Sequence, residues 1–208
     1  MFIGDSHALG YFTSVKESPH LRGFYFGSGG CPFGLDTETL SYLGCAAFRS
    51  VLIEAILENS PDILVLASRW RSYSHRLGCN LADLLGEAER YALGLPFEGG
   101  IYVLTEPPKY AVAIPHLVLQ RLGGVLGLTN ISDSDQLRSK NLTIECPRED
   151  EFDRGTANVT VVDVSKWFRS GEKCLIFSNR KMLYRDSLHL TSYGSTEVLG
   201  RIFDINFE

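Results

Sequence analysis

The stretch MFIGDSHALGYF, residues 1–12, decides how the rest of the chain is interpreted. Its first apolar residues predict a short strand, and the helical spacing of the apolar residues that follow predicts a helix over His7–Lys16. Ser6 therefore falls at the carboxyl end of the first strand, where the first helix begins. A serine here commonly caps the helix. It can also be a nucleophile, because helix N–H groups and the positive end of the helix dipole lie beside it.

Apolar strands and amphipathic helices alternate along the whole chain. The predicted strands are Met1–Gly4, Gly23–Gly27, Asp62–Ser68, Gly100–Thr105 and Asn158–Val164. The predicted helices are His7–Lys16, Ala46–Asn59, Leu81–Leu95, Ala113–Leu126 and Ser192–Phe203. This alternation predicts an α/β fold, with a mainly parallel sheet and helices on both faces. Residues 174–184 predict a small hairpin, and the polar segment 127–154 predicts a surface excursion from a single domain that spans residues 1–208.

Composition excludes several classes of function. The 208 residues are 44% hydrophobic, enough for a substantial core, and the net charge of −5 is dispersed. No basic patch suits a nucleic acid partner. No apolar run is long enough to span a membrane, and the N-terminus lacks the pattern of a signal peptide. The abruptly short first strand predicts a domain separated from a longer protein that precedes Met1.

Five cysteines are present, and none has the spacing of a zinc site. Cys31 and Cys45 bracket a turn-rich loop that a disulfide would stabilise in an oxidising compartment. The alternative is two separate buried thiols in a cytosolic protein. Cys146 and Cys174 form a second candidate pair, which would leave Cys79 free.

His189 is the best candidate for a catalytic base. It lies in YRDSLHLTSYGS, three residues after Asp186 and just before the last helix. In such a D-x-x-H turn the carboxylate can orient the imidazole and stabilise the imidazolium formed during a reaction. His7 adjoins Ser6 in sequence but would point away along the helix. The structural alternative for the turn is a helix cap made by Asp186 or Thr191.

Taken together, GDSHA at Gly4–Ala8 and DSLHL at Asp186–Leu190 resemble the first and last sequence blocks of the SGNH (GDSL-like) hydrolase family. The resemblance implies a flavodoxin-like three-layer αβα sandwich with a five-stranded sheet. It also implies that Ser6 is the nucleophile, His189 the base and Asp186 the residue that orients the base.

The order of motifs narrows the resemblance. GDSHA, GCPF with a later cysteine, DILVLASRW and LYRDSLHLTSYGS are together most similar to SGNH domains that lie C-terminal to membrane acyltransferase-3 regions. Those proteins O-acetylate surface polysaccharides such as lipopolysaccharide O-antigen, and their SGNH domain lies on the periplasmic side. The resemblance therefore implies an acyl donor, a glycan acceptor and a membrane acyltransferase-3 region as partners, without a metal or cofactor.

The middle of the chain departs from the family pattern. An oxyanion hole needs two or three donors, and the resemblance assigns these to the N–H of Ser6 and the N–H of Gly29 or Gly30. The third donor in the family is an asparagine after the third strand, where this chain has Ala67-Ser68-Arg69-Trp70. Either Arg69 or Ser68 replaces it, or the hole has fewer donors.

Three aromatic residues near the predicted site, Trp70, Tyr73 and Tyr11, are candidates for stacking against a sugar. The alternative is packing in the core, which is the commoner role of such rings.

The resulting hypothesis is serine-dependent acyl transfer, most simply O-acetylation of a polysaccharide sugar through an acyl-serine. A carbohydrate or lipid O-acyl esterase would use the same residues and is the first alternative. The second is a non-catalytic module that binds glycan for a membrane acyltransferase.

Overall fold

The computed structural model describes residues 1–16, 21–28, 31, 45, 48–117, 142–146, 154–156, 158–179 and 181–204. These residues belong to two compact units. The first unit comprises Met1–Glu106 and Glu151–Asp163, and the second comprises Pro107–Asp150 and Val164–Glu208. The organisation as a single domain stays a prediction.

A mainly parallel sheet forms the centre of the first unit. Its strands are β1 (Phe2–Gly4), β2 (Tyr25–Gly27), β3 (Ile63–Ala67), β4 (Gly100–Leu104), β6 (Arg154–Gly155) and β7 (Val159–Val162). Their order across the sheet is β2-β1-β3-β4-β7-β6. The first five strands in this order are parallel, and the short β6 pairs antiparallel with β7. The predicted α/β fold with a five-stranded parallel sheet is therefore confirmed.

Four helices belong to the same unit: α1 (Ser6–Val15), α2 (Phe48–Asn59), α3 (Trp70–Leu77) and α4 (Leu81–Leu93). Apolar side chains from the sheet and from α2, α3 and α4 form one core, and Ile3, Leu64, Leu66, Leu85 and Val103 are among its most buried members. β3 reads as a continuous apolar run because both faces of a central parallel strand are buried. Helix α3 was not predicted, since its sequence WRSYSHRL is mostly polar.

The second unit contains a smaller antiparallel sheet. Its strands are β5 (Leu142–Glu145), β8 (Arg169–Ser170), β9 (Lys173–Ser178) and β10 (Lys181–Met182). β9 pairs with the other three, and β9 with β10 forms the predicted hairpin. A 3-10 helix covers Val164–Phe168, and α5 covers Ser192–Phe203 as predicted. Most of the predicted helix Ala113–Leu126 and of the segment 127–154 lies outside the described residues.

Both candidate disulfides are present, one in each unit. Cys31 bonds to Cys45 and Cys146 bonds to Cys174, which leaves Cys79 as an exposed free thiol. The alternative of separate thiols at Cys31 and Cys45 is therefore wrong. No helix in the described part of the chain has the length and apolar character needed to cross a bilayer.

Candidate active site

In the first unit, the carboxyl ends of the parallel strands meet at one edge of the sheet. Gly4 of β1 is in register with Ala67 of β3, and Ala67 is in register with Leu104 of β4. Neighbouring strands are about 4.8 Å apart, so residues that follow these three positions lie side by side. This edge is where open α/β sheets place their sites.

The first residue beyond each strand is buried. Asp5, Ser68 and Thr105 occupy these positions and are at most 4% exposed. The second residue beyond each strand is partly exposed, and these residues are Ser6, Arg69 and Glu106. Ser6, Arg69 and Glu106 therefore form a row of backbone positions that follow three neighbouring strands, each next to a buried polar residue.

Asp5, and not Ser6, caps helix α1. Asp5 Oδ1 accepts a hydrogen bond from the His7 N–H at 2.9 Å, and Ser6 is the first residue of the helix. The interpretation of Ser6 as a helix cap is therefore wrong. Aspartate caps helices as readily as serine does, so Asp5 can take this position in place of Ser6.

The same carboxylate connects two turns at the sheet edge. Asp5 Oδ2 accepts hydrogen bonds from the Arg69 N–H and from the Tyr73 hydroxyl, both at 3.0 Å. Burial raises the pKa of Tyr73, and the charge and hydrogen bond of Asp5 raise it further, so this phenol stays a donor. Three donors satisfy Asp5, which is only 1% exposed. The turn that holds Ser6 is thus fixed to the turn that holds Arg69.

These contacts bear on the predicted third oxyanion donor. The N–H of Arg69 already donates to Asp5, so any donation by this residue must come from its guanidinium. The Ser68 hydroxyl is buried and has no hydrogen-bond partner within the described part of the chain. Gly29 and Gly30, the other predicted donors, lie outside the described residues.

The prediction that Trp70 and Tyr73 stack against a sugar is wrong. Trp70 is fully buried in the core, and its Nε1–H donates to the Leu104 carbonyl at 2.9 Å. Tyr73 is 4% exposed and Tyr11 is 2% exposed. None of the three rings offers a free face, because helices α3 and α1 direct them into the interior.

Glu106 is a site feature that the sequence analysis missed. Its Oε2 accepts the Arg71 N–H at 3.1 Å and lies 3.8 Å from Arg71 Nε. Burial raises the pKa of Glu106 to about 7, against the opposing hydrogen bond and charge of Arg71. The available signal was a carboxylate placed just after a buried strand, in the TEPP stretch that was interpreted only as a strand stop.

In the second unit, Asp186 and His189 form the predicted pair. His189 Nδ1 lies 2.7 Å from Asp186 Oδ2, while Asp186 Oδ1 accepts the N–H groups of Leu188 and His189 at 2.8 Å each. Partial burial would raise the pKa of Asp186, but these hydrogen bonds outweigh it and hold the pKa below its usual value. The carboxylate therefore stays ionised near neutral pH, and it directs Nε2 of the imidazole away from itself.

Helix capping accounts for Thr191 but not for Asp186. Thr191 is the N-cap of α5, and its hydroxyl accepts the Gly194 N–H at 3.0 Å. Of the two capping candidates, Thr191 has that role and Asp186 does not. Asp186 is committed instead to its own turn and to His189.

Comparison with known proteins identifies the family. A family model described as an SGNH domain fused to AT3 domains matches residues 1–204. No curated protein matches the chain significantly. A solved structure, the periplasmic domain of the lipopolysaccharide acetyltransferase of Salmonella ser. Paratyphi A, shares the fold with a TM-score of 0.55 at 13% identity. The match covers 98% of this chain and 81% of that chain. The chain belongs to the family of SGNH domains that are fused to AT3 domains.

Proposed function

We propose that this chain is a serine-dependent acyl-transfer domain that O-acetylates a sugar of a cell-surface polysaccharide. The Asp186–His189 pair carries the proposal, because an imidazole held at 2.7 Å by an ionised carboxylate is the base-and-orienter arrangement that a serine nucleophile needs. Membership of a family fused to AT3 domains supports acyl transfer as the chemistry. The acetyltransferase named in the structural comparison supports a glycan acceptor.

The proposed reaction has two halves. Ser6 Oγ attacks the carbonyl carbon of the acyl donor while His189 Nε2 takes the hydroxyl proton, and the tetrahedral oxyanion collapses to an acyl-serine as the leaving group takes that proton. His189 then removes the proton of a sugar hydroxyl, whose oxygen attacks the acyl-serine. The second tetrahedral intermediate collapses, the bond between Ser6 Oγ and the acyl carbon breaks, and His189 returns the proton to Ser6 Oγ. The N–H of Ser6 and the N–H of Gly29 or Gly30 are the proposed oxyanion donors.

We also propose that the domain works on the periplasmic side of the inner membrane, beside a membrane acyltransferase-3 region. Two disulfides support an oxidising compartment. The AT3 fusion in the family supports the membrane partner. The proposed mechanism uses no cofactor or metal.

A serine-directed fluorophosphonate tests the nucleophile. We expect intact-mass and peptide analysis to find one adduct on Ser6, and none on the Ser6→Ala variant. The exposed Ser50 of α2 gives a matched control, Ser50→Ala, which should be labelled like the wild type. A wild-type domain that binds glycan but takes no adduct would favour the non-catalytic module instead.

The Asp186→Asn variant tests the orienting role. The amide oxygen can still accept the two N–H groups of the turn, but the amide NH₂ then faces Nδ1 and favours the wrong imidazole tautomer. We expect the labelling rate of Ser6 to fall by roughly 10²- to 10⁴-fold with little change in melting temperature. Asp83→Asn, at an exposed aspartate of α4, is the control; equal rates for both variants would refute the role of Asp186.

Turnover of p-nitrophenyl acetate with and without a glycan acceptor separates transferase from esterase. When the glycan is present, a transferase should form an acetylated sugar and release correspondingly less free acetate. An esterase should release acetate at the same rate whether or not the sugar is present.

A further inference from the structure

The row Ser6, Arg69, Glu106 extends beyond the residues that the proposed mechanism uses. Each residue lies two positions past one of three registered strand residues, and all three are partly exposed, whereas the layer beneath is buried. With strands about 4.8 Å apart, the strand ends that precede Ser6 and Glu106 lie roughly two strand spacings apart, and the end that precedes Arg69 lies between them. This separation suits a sugar ring with one hydroxyl near Ser6 and another near Glu106.

One carboxyl oxygen of Glu106 contacts Arg71, and the other can accept a hydrogen bond from a ligand. Both contacts from Arg71 go to Oε2, and Oε1 has no hydrogen-bond partner within the described residues. The side chain is only 11% exposed, so the opening to Oε1 is narrow. A nearly buried carboxyl oxygen without a donor is costly unless a ligand supplies one.

Arg69 offers the complementary group. Its backbone N–H is held by Asp5, which fixes the turn. Its guanidinium forms no ion pair or hydrogen bond within the described part of the chain, yet lies close enough to Glu106 to affect the pKa of that carboxyl. Donors on Arg69 and an acceptor on Glu106 together match a sugar oxygen and a neighbouring sugar hydroxyl.

Charge indicates which sugars fit. When Glu106 is ionised, Arg71 balances its charge, and the Asp5 carboxylate, which accepts the Arg69 N–H, balances that of Arg69, so the row has no net excess of either sign. A neutral sugar meets no unbalanced charge here, whereas a uronic acid would place a third carboxylate beside Glu106 and Asp5. Guanidinium and carboxylate groups are suited to hydrogen bonding with hydroxyls of an uncharged ring.

We propose that Glu106 and Arg69 form the binding subsite for the acceptor, a neutral sugar that places one hydroxyl on Glu106 Oε1 and one oxygen on the Arg69 guanidinium. The acetylation of that sugar rests on the proposed function. Binding of the sugar at the subsite does not depend on the chemistry at Ser6.

The binding test therefore uses Ser6→Ala as its background. Saturation-transfer NMR with a panel of neutral methyl hexopyranosides should detect sugar binding and give its affinity. We expect Glu106→Gln to lower that affinity roughly ten-fold or more. Arg69→Lys, which loses the planar fork, should lower it as well. Glu58→Gln, at an exposed glutamate of α2, is the matched control and should bind like the background. Methyl uronosides should bind more weakly than neutral sugars.

The chemical test uses the otherwise unaltered domain. In Glu106→Gln we expect the ratio of sugar acetylation to acetate release to fall roughly ten-fold at low acceptor concentration, and to recover as the acceptor is raised. Thermal melting of each variant verifies the fold.

The outcomes separate the two proposals. Unchanged sugar binding in Glu106→Gln overturns the subsite, even if Ser6 is labelled normally. Weakened binding in Glu106→Gln, combined with a wild-type Ser6 that never takes the phosphonate, supports the subsite and overturns the acyl-serine. A preference for uronosides overturns the assignment to neutral sugars.

Discussion

At the residue scale, Asp5 shows how a single buried carboxylate can organise a site without joining the chemistry. It caps α1 through the His7 N–H and holds the Arg69 turn through a second N–H. Tyr73 supplies the third donor from the interior. A carboxylate with three donors is stable in the core, whereas removing one donor leaves it partly unsatisfied.

Glu106 is held differently, and its protonation has a measurable effect on stability. Burial raises its pKa from 4.5 to about 7, with Asp5 adding to the rise and Arg71 and Arg69 opposing it. The folded protein therefore keeps the Glu106 proton to a higher pH than the unfolded chain does. Stability from this group is fully present below pH 4.5 and is lost as the pH rises to about 7.

We predict that Glu106→Gln, which cannot ionise, becomes more stable relative to the wild type as the pH rises. The relative free energy of unfolding should increase by about 3 kcal/mol across the titration, since each pKa unit corresponds to about 1.4 kcal/mol. Urea unfolding of both proteins at several pH values from 4.5 to 8 measures this difference in free energy. Glu58→Gln should show no such trend, and a flat difference for Glu106→Gln would contradict the buried ionisation.

At the element scale, the register of β1, β3 and β4 brings the site residues to one edge. Gly4 makes this register possible, because its φ of 143° is one that side-chain-bearing residues rarely adopt. A Cβ at Gly4 would lie 2.0 Å from the Ala67 carbonyl oxygen and 2.9 Å from Ser68 Oγ. The glycine before the serine is thus required by the neighbouring strand, as well as by its own turn.

We predict that Gly4→Ala destabilises the first unit by more than about 4 kcal/mol, or prevents folding, since backbone and not a flexible side chain blocks the methyl group. Gly10→Ala is the matched control: it lies inside α1 with open space around it and should gain up to about 1 kcal/mol. Differential scanning calorimetry compares them. A Gly4→Ala variant with the melting temperature of the wild type would show that β1 and β3 are farther apart than described.

The sequence predicted the elements whose apolar pattern is set by burial. β1, β3, β4, β7 and α5 lie within one or two residues of their predicted bounds. It could not predict α3, whose first residue Trp70 is buried while its outer face is polar. It also missed the pairing of β5 with β9, because pairing between strands about 30 residues apart leaves no local periodicity.

The site was predictable to the same limited degree. Asp186 and His189 could be found because both belong to one short turn. Glu106 could not be connected with Arg69 and Ser6, because their proximity depends on strand register. The sugar-stacking assignment of Trp70 and Tyr73 was wrong because residue type does not show which side of a helix faces the core.

At the scale of the whole molecule, each compact unit contains one disulfide. The Cys31–Cys45 bond has a sequence separation of 14 and the Cys146–Cys174 bond a separation of 28. In the chain-entropy model, loops of these lengths stabilise a fold by about 3 to 4 kcal/mol each. Each unit therefore has a covalent cross-link of its own.

We predict that replacing Cys31 and Cys45 together by serine lowers the free energy of unfolding by about 3 kcal/mol, because the unfolded first unit regains loop freedom. Urea titration without reductant measures the loss. Cys79→Ser, which breaks no bond, should unfold like the wild type. If dithiothreitol does not destabilise the wild type, the disulfides do not contribute as described.

The free thiol of Cys79 also makes the domain easy to tag at a single point. The other four cysteines are bonded, and Cys79 is exposed just past the end of α3. Partial burial raises the pKa of this thiol, so a maleimide dye will attach best in mildly alkaline buffer. The same helix contacts Asp5 through Tyr73 and Glu106 through Arg71. A fluorophore at Cys79 would thus become an optical reporter of events at the sheet edge, without any cysteine having to be engineered.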